Sequence, residues 1–346
     1  MSKNGNQDSF AAIFSAVRSS IVDFFDERGK LTMSQDRIDG KTCLITGANS
    51  GLGKAIAIQL AQRGGHLLLA CRSGIPDAGE EIKKLSGSNK IEMLAVDLAD
   101  FQSIHKLCDE LNNRKVKLDI VVLNAGLVTF QAQQTSQGFE SMFGVNYLAN
   151  MVLVNRLLKD NIIPITSDSR FVDRANSLLN KDRSPPRIIF TSSEAHRFIN
   201  AIDFETLGHY RSHSMAEVNG LYSYSKLLLT TFFLELNRRL NSTSEVNVSV
   251  HALCPGPVNS RFAQNGPLWS KVVMKIMMTL FFKDPNKACA PAVHLACDKD
   301  IENKSGLYLH LMKMKKVSDT AAQPEIGQRL WQASEALIAN AIVKLS

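Results

Sequence analysis

The chain of 346 residues is predicted to form one α/β domain built on a doubly wound parallel sheet. Short apolar runs alternate with longer stretches of helical periodicity from residue 38 onward. A glycine-rich turn follows the first apolar run and opens the first helical stretch. No linker or internal repeat interrupts the alternation. Together these observations favour a Rossmann-type sheet covered by helices on both faces.

The apolar runs and the periodic stretches define the predicted elements. The runs predicted as buried strands are residues 42–46, 66–71, 91–96, 118–123, 187–191 and 246–253. The stretches predicted as helices lie near residues 52–63, 101–112, 138–158 and 221–240. Residues 1–37 precede this pattern as an N-terminal extension, so the domain is expected to span residues 38–346.

The composition is that of a globular protein that binds no nucleic acid. Hydrophobic residues make up 45% of the chain and charged residues 21%. The formal net charge of +7 is scattered, and the basic run Lys313-Met314-Lys315-Lys316 is interpreted as a solvated surface. The six cysteines form no CxxC pair, which predicts no metal site and no disulfide framework. A reducing, cytoplasmic compartment is therefore expected.

Three segments depart from the strand–helix rhythm. Residues 1–37 contain an amphipathic pattern, for which docking on the protein itself, on a partner subunit or on a membrane surface all remain open. The 160–186 segment is a polar loop. The 266–283 segment is apolar and rich in methionine, which fits either core or a substrate lid. The residues that would form its pliable apolar wall are Met274, Met277, Met278, Phe281 and Phe282.

The glycine-rich turn predicts a site for a dinucleotide. Gly47, Gly51 and Gly53 let the backbone approach a pyrophosphate at the N-terminus of a helix. The second predicted strand ends at Arg72 without the carboxylate that would bind the ribose diol of NAD. A guanidinium there suits the 2′-phosphate of NADP(H), which is therefore expected in preference to NAD(H).

Tyr222, Lys226 and Ser193 predict a centre for acid–base chemistry. A spacing of four places the phenol and the ammonium on one helix face, where the positive charge is expected to lower the pKa of Tyr222. Ser193 would hold the reacting oxygen of the substrate. Tyr224 lies on another helix face from Lys226, while Ser192 remains an alternative to Ser193.

Three histidines lie between Ser193 and Tyr222 in the sequence. His209 and His213, spaced HxxxH in a polar loop, are expected to be a surface pair rather than a metal site. His196, with Arg197, follows the serine strand, where edging a substrate cleft and being solvated are both open.

The motifs of this chain, and the order in which they occur, resemble those of the short-chain dehydrogenase/reductase family. The resemblance is greatest to its retinol dehydrogenase-like branch. The motifs are Gly47–Lys54, Leu69–Arg72, Val96–Leu98, Leu123–Gly126, Gly144–Tyr147, Thr191–Ser193, Tyr222–Lys226, Pro255–Val258 and Arg329–Leu337. The resemblance implies that Ser193, Tyr222, Lys226 and Asn146 are catalytic, with Asn146 positioning a water. It also implies a set of cofactor contacts: Gly47, Asn49, Ser50, Gly51, Leu52, Gly53, Arg72, Asp97, Leu98, Asn124, Ala125, Gly126, Tyr222, Lys226, Pro255, Gly256 and Val258.

The expected function is oxidoreduction with NADP(H) of a lipophilic alcohol and its aldehyde or ketone, such as a retinoid, a steroid or a fatty aldehyde. The substrate class rests partly on the family resemblance. The alternative is a scaffold that binds the cofactor without turnover. A homodimer through helices 138–158 and 221–240 and a monomer are both left open.

Overall fold

The computed structural model describes residues 29–165, 184–242, 245–256 and 285–343. Eight strands form one sheet in the order β3-β2-β1-β4-β5-β6-β7-β8. All neighbouring strands are parallel except β7 and β8. The strands are Thr42–Thr46, His66–Cys71, Ile91–Ala95, Ile120–Leu123, Arg187–Thr191, Ser249–Cys254, Tyr308–His310 and Lys313–Met314. The predicted fold class is confirmed.

Helices follow the strands and cover both faces of the sheet. They are α1 Gly51–Gln62, α2 Asp77–Ser86, α3 Phe101–Asn113, α4 in three consecutive pieces (Ser141–Phe143, a π-turn Gly144–Leu148, Ala149–Lys159), α5 Val218–Leu240, α6 Pro285–Ala288, α7 Ala290–Cys297, α8 Asp319–Ala322 and α9 Pro324–Val343. Two short 3₁₀ turns, Glu194–Phe198 and Met215–Glu217, precede α5.

Two apolar cores lie on opposite faces of the sheet because successive strand residues point in opposite directions. In β1, Leu44 joins the core under α3, α4, α5 and α9. Its neighbours Cys43 and Ile45 join the core under α1, α2 and α7. All six cysteines are buried and free, so Cys43 and Cys71 are the small core residues that the strand pattern predicts.

Several elements were not predicted from the sequence. The short strands β7 and β8 extend the sheet, and α9 adds a C-terminal helix that packs on α5. The predicted 138–158 helix is interrupted by a π-turn at Gly144–Leu148. The amphipathic part of the N-terminal extension, most of the 160–186 loop and the 266–283 segment lie outside the described residues. Among the helices that are described, none is long and apolar enough to cross a membrane.

Candidate active site

The glycine turn lies between β1 and α1, at the carboxyl edge of the sheet. Gly47 (φ +68°) and Gly51 (φ +55°) adopt left-handed conformations that side chains disfavour. The Gly47 backbone N–H donates to the Ala70 carbonyl oxygen at 2.9 Å, which ties the turn to β2. A Cβ atom on Gly53 would lie 2.5 Å from Asn124 Nδ2, so α1 can approach the turn this closely only with glycine there.

The N-terminus of α1 is open to an anion. Ser50, at the N-cap position, makes no capping hydrogen bond with its side chain, and the first turn of α1 has no acidic residue. The backbone N–H groups of that turn therefore keep their partial positive charge for an outside acceptor. Beside them, Asn49 Nδ2 donates to Ser73 Oγ at 3.3 Å, and Leu52 is buried in the core. The turn fits the diphosphate of a dinucleotide.

Thr46, for which sequence reasoning proposed no role, fastens the loop after β4 to the glycine turn. Its hydroxyl oxygen accepts hydrogen bonds from the backbone N–H groups of Asn124 and Ala125, each at 3.0 Å. Asn124 Nδ2 donates in return to the Thr46 carbonyl oxygen at 3.2 Å. The signal available in the sequence was a threonine at the end of a fully apolar strand, where a buried hydroxyl needs partners.

Arg72 stands directly after β2, next to the glycine turn. Its side chain is 67% exposed, and Nη1 lies 3.9 Å from Asp97 Oδ1. Asp97 also accepts a hydrogen bond from the Ala99 backbone N–H at 2.9 Å. Leu98 is buried in the core. The exposed guanidinium is available to an added anion.

Tyr222, Lys226 and Ser193 come together at the carboxyl end of β5. Tyr222 and Lys226 lie one turn apart on α5, with Lys226 Nζ 5.7 Å from the centre of the tyrosine ring. Lys226 Nζ donates to the Thr191 carbonyl oxygen at 2.9 Å. The Tyr222 hydroxyl is hydrogen-bonded to the side chain of Ser193. A phenol, a hydroxyl and an ammonium thus share one site.

Burial decides the pKa values of the two titratable groups in this centre. It raises the pKa of Tyr222 above its ordinary value, and the hydrogen bond with Ser193 offsets this only partly. The same burial lowers the pKa of Lys226 to about 8. The net pKa of Tyr222 is thus raised rather than lowered as the sequence predicted, because desolvation of the phenolate has the largest effect. The buried Cys254 thiol, also missed from the sequence, adds to the rise for Tyr222.

The structure separates the alternative side chains from the centre. Ser192 is buried, and its hydroxyl is hydrogen-bonded to Thr230 Oγ1 at 2.7 Å, away from Tyr222. The Tyr224 hydroxyl donates to the Asp203 carbonyl oxygen at 3.3 Å. Ser193 and Tyr222 are therefore the pair that can act on one substrate atom.

Asn146 lies in the π-turn of α4 and joins three elements. Its Oδ1 accepts from the Leu127 backbone N–H at 2.7 Å, and its Nδ2 donates to the Leu127 carbonyl oxygen at 2.9 Å and to Ser225 Oγ at 3.1 Å. A Cβ atom on Gly126 would lie 3.2 Å from Asn146 Oδ1 and 3.8 Å from Lys226 Nζ. The π-turn thus brings Asn146 against the loop that carries Gly126, beside Lys226.

His196 supports the serine from within the protein. It is fully buried, so a solvated side chain or one that edges the cleft is excluded. Its Nδ1 lies 2.6 Å from the Ser193 carbonyl oxygen, and its Nε2 accepts from the Ser318 backbone N–H at 3.1 Å. Burial lowers the pKa of His196 to about 4, which keeps the ring neutral.

Glu194 is a second residue near the centre that sequence reasoning missed. It accepts hydrogen bonds from Lys315 Nζ at 2.7 Å and from the Tyr308 hydroxyl at 2.9 Å, and it pairs with Arg197 at 3.0 Å. Burial by itself would raise the pKa of Glu194, but Lys315, His310 and Arg197 outweigh it and lower the pKa to about 2. Glu194 ties the segment after Ser193 to β7 and β8.

The predicted histidine pair is divided by the structure. His209 is exposed, as expected, but His213 is only 9% exposed, so the surface interpretation is wrong for that residue. His213 turns inward, with Nε2 3.4 Å from the Thr129 carbonyl oxygen. The described residues contain no group of three or more histidine, cysteine, aspartate or glutamate side chains suited to a metal ion.

The last predicted cofactor contacts follow β6. Gly256 has φ +76°, and a side chain there would collide with Leu311. The Leu311 backbone N–H donates to the Cys254 carbonyl oxygen at 2.8 Å, which anchors the stretch just before Pro255 and Gly256 to the end of β7. Val258 lies outside the described residues.

The chain is similar in sequence and in fold to known proteins. The model of the short chain dehydrogenase family matches residues 41–198. Retinol dehydrogenase 13 of Mus musculus is 32% identical over 89% of this chain and 87% of its own length. Retinol dehydrogenase 12 of Mus musculus is 31% identical over 94% of each chain. The crystal structure of an uncharacterized protein from Mycobacterium paratuberculosis has a TM-score of 0.63 and 25% identity, and the match covers 89% of this chain and 97% of that one.

Proposed function

The chain belongs to the short-chain dehydrogenase family, and from that premise we propose that it is an NADP(H)-dependent oxidoreductase that interconverts a lipophilic alcohol and its aldehyde or ketone. The observation that carries the proposal is the hydrogen bond between Tyr222 and Ser193, with Lys226 beside the tyrosine ring. The glycine turn and the open N-terminus of α1 lie at the same edge of the sheet. A bound nicotinamide cofactor would supply or accept the hydride.

Tyr222 is the proposed acid and base. Its raised pKa keeps the phenol protonated near neutral pH, so a proton is available to the substrate oxygen during reduction. Ser193, already hydrogen-bonded to the phenol, holds the same oxygen and stabilises the negative charge that develops on it. In the oxidative direction the phenolate must form first, which the raised pKa opposes.

Lys226 is proposed to stabilise the phenolate after the proton has left. The Thr191 carbonyl oxygen holds the ammonium at 2.9 Å, next to the tyrosine ring. In a buried site an ammonium and a phenolate attract each other more strongly than they would in water. Asn146 supports this placement, since it fixes the loop that lies against Lys226 Nζ.

The preference for NADP(H) rests on Arg72. The position after β2 that often carries a carboxylate in NAD-binding proteins carries a guanidinium here, and that side chain is largely exposed. Asp97 lies on its other side at 3.9 Å, a distance at which the pair is loose in water. A 2′-phosphate would give Arg72 a stronger, doubly charged partner.

The lipophilic substrate class is supported by two observations of different kinds. The apolar, methionine-rich pattern of residues 266–283 suits a pliable wall for an alkyl or polyene chain. The similar proteins of Mus musculus are named retinol dehydrogenases, and a retinoid is therefore one member of the class to be tested.

The decisive experiment follows the oxidation of NADPH and of NADH with a panel of medium-chain aldehydes, retinal and steroid ketones. Tyr222→Phe is measured alongside, together with its affinity for NADPH. We expect turnover with NADPH, a loss of at least about a hundredfold in kcat for Tyr222→Phe, and unchanged NADPH binding.

Other results would change the proposal in distinct ways. Turnover with NADH alone would remove the role of Arg72 and keep the chemistry. Tight NADPH binding without turnover of any carbonyl compound would instead support a cofactor-binding scaffold. Tyr222→Phe with full activity would exclude the acid–base assignment.

A further inference from the structure

His213 is the one buried residue in the otherwise exposed stretch 209–216. A polar loop at the surface has no need to bury an imidazole, and removing a polar ring from water costs free energy unless its nitrogens find partners. In this stretch the backbone turns His213 inward while His209, Tyr210, Arg211 and Ser214 face solvent. The inward position of His213 therefore needs an explanation that the loop itself does not provide.

The hydrogen-bonding of His213 is half complete. Nε2 lies 3.4 Å from the Thr129 carbonyl oxygen, which can only accept, so Nε2 carries the hydrogen. In that tautomer Nδ1 is an acceptor. Nδ1 is buried, and within the described structure it has no hydrogen-bond partner. His213 Nδ1 therefore lacks a hydrogen-bond donor within the described structure.

The second buried polar group that lacks a partner in the described structure belongs to Thr129, the residue that His213 contacts. Its hydroxyl oxygen is also buried without a hydrogen-bond partner in the described structure. The nearby carboxylate of Glu217 does not serve either group, since it accepts from the Ser214 backbone N–H at 2.9 Å and pairs with Arg211 at 3.2 Å. Buried polar groups are nearly always satisfied, and these two unpaired groups belong to residues that contact each other through His213 Nε2 and the Thr129 carbonyl oxygen.

Both residues belong to segments that build the active site. Thr129 lies three residues beyond Gly126, in the loop after β4 that packs against Asn146 and Lys226. His213 lies in the segment that leads into α5, the helix that carries Tyr222. Both segments start at the carboxyl edge of the sheet, where ligands bind in this kind of fold.

We propose that His213 and Thr129 form a second polar subsite of the substrate cleft, in which His213 Nδ1 accepts a hydrogen bond from a hydroxyl group remote from the reacting carbon. This inference rests on the proposed function and narrows its substrate class. The substrate is a lipophilic aldehyde or ketone that carries a second hydroxyl, or the corresponding diol. The Thr129 hydroxyl, which can donate and accept, is the second unpaired group of this subsite.

The test compares ω-hydroxyalkanals of about eight to twelve carbons, which are too long to close readily into cyclic hemiacetals, each with the n-alkanal of equal length. The readout is the ratio of their kcat/KM values with NADPH. We expect this ratio to exceed about ten for wild type at one or two chain lengths, because the plain aldehyde leaves the buried groups unpaired.

Variants assign the preference to the proposed residues. His213→Phe keeps a flat ring without a hydrogen-bonding atom, and we expect it to bring the ratio close to one. Thr129→Val, which replaces a hydroxyl by a methyl group, is expected to lower the ratio as well and serves if His213→Phe does not fold. His209→Phe, in the same loop but exposed, is the matched control and should retain the wild-type ratio.

The outcomes separate this inference from the function on which it rests. Reduction of alkanals and hydroxyalkanals at equal rates at every length overturns the subsite and leaves the reductase intact. A ratio that survives in both His213→Phe and Thr129→Val also overturns it. No turnover of any carbonyl compound overturns the proposed function, and the subsite with it.

Discussion

Ser192 and Ser193 are neighbours in the chain, yet their hydroxyl groups have opposite surroundings. The Ser192 hydroxyl is buried against Thr230, whereas that of Ser193 is hydrogen-bonded to Tyr222. The two extended residues at the end of a strand point to opposite faces, so only one of them can reach the tyrosine. The difference offers a matched pair of variants for the oxyanion contact.

Ser193→Ala is expected to lower kcat by about 10²–10³, the usual cost of removing one group that stabilises developing charge. Ser192→Ala should keep most of the activity and lower the free energy of unfolding by about 0.5–1.5 kcal/mol, because Thr230 loses one hydrogen bond and keeps the one it donates to the Lys226 carbonyl oxygen. Steady-state kinetics and urea unfolding of both variants check this. A larger loss of kcat in Ser192→Ala than in Ser193→Ala would reverse the assignment.

At the residue scale, the lowered pKa of Lys226 predicts that the rate of carbonyl reduction depends on pH. Its pKa is lowered to about 8 by burial, so the ammonium is charged below that pH and loses its charge above it. We expect kcat/KM for carbonyl reduction to fall as the pH rises through about 8, since the neutral amine no longer stabilises the phenolate.

The same shift has a consequence for stability. Between pH 8 and the ordinary lysine value of 10.5, the unfolded chain binds more protons at this residue than the folded one. The free energy of unfolding should therefore rise with pH in that window. Urea unfolding of wild type and Lys226→Met across this pH window checks the stability, and a rise that persists in the variant would belong to another group.

The pH profiles of kcat/KM for the same two proteins check the kinetic prediction, and an alkaline decline that persists in Lys226→Met would likewise belong to another group.

At the scale of elements, the active site depends on how closely α1 approaches the turn after β1. The contact is possible because Gly53 has no side chain, and Asn124 and the Gly47 carbonyl oxygen occupy the space where one would lie. The π-turn of α4 and the short 3₁₀ turn after β5 make comparable adjustments for Asn146 and Ser193. Asn146 and Ser193 are thus positioned by irregular turns, whereas Tyr222 and Lys226 lie on the regular helix α5.

Gly53→Ala is expected to weaken NADPH binding by at least about tenfold. The added methyl group would push α1 away from the turn and misplace the N–H groups that face the diphosphate. Gly220→Ala is the control, since it adds the same methyl group to a helix where nothing lies within 4 Å. Fluorescence titration with NADPH measures both affinities. Equal affinities would mean that the close approach is not needed for binding.

At the scale of the whole molecule, α9 packs against α4 and α5, the two helices through which the sequence left a homodimer open. Trp331 stacks on Phe232 of α5 with ring centres 5.6 Å apart, and the guanidinium carbon of Arg239 lies 4.2 Å from the centre of the Trp331 ring. The Ser334 hydroxyl is hydrogen-bonded to the Tyr147 hydroxyl of α4 at 2.6 Å. A dimer that pairs α4 and α5 between copies would have to displace these buried contacts.

We therefore expect the protein to migrate as a single chain in size-exclusion chromatography with light scattering at micromolar concentration. Trp331→Ala should lower the free energy of unfolding by about 3–5 kcal/mol, because it removes a large buried side chain. Gln332→Ala, at the exposed neighbouring position, should change it by less than about 0.5 kcal/mol. A stable dimer in wild type would show that α9 leaves a pairing surface open.

Much of this molecule is encoded in local patterns of the sequence. The alternation of apolar runs and helical stretches predicts the parallel sheet, since each strand must be covered on both faces. The spacing of Gly47, Gly51 and Gly53 after a strand predicts the turn. The interval between Tyr222 and Lys226 places both on one side of α5, because four residues are close to one helical turn.

Other properties arose only when distant segments packed together. Ser193 was distinguished from Ser192 by Thr230 on α5, and His213 turned inward to meet Thr129 in another loop. The pKa of Tyr222 is raised because burial, which depends on the whole surroundings, outweighs the hydrogen bond with Ser193. The cover of α4 by α9 joins residues 187 positions apart in the chain. A periodic pattern specifies which face of an element is buried, but the identity of the group against that face depends on contacts between elements.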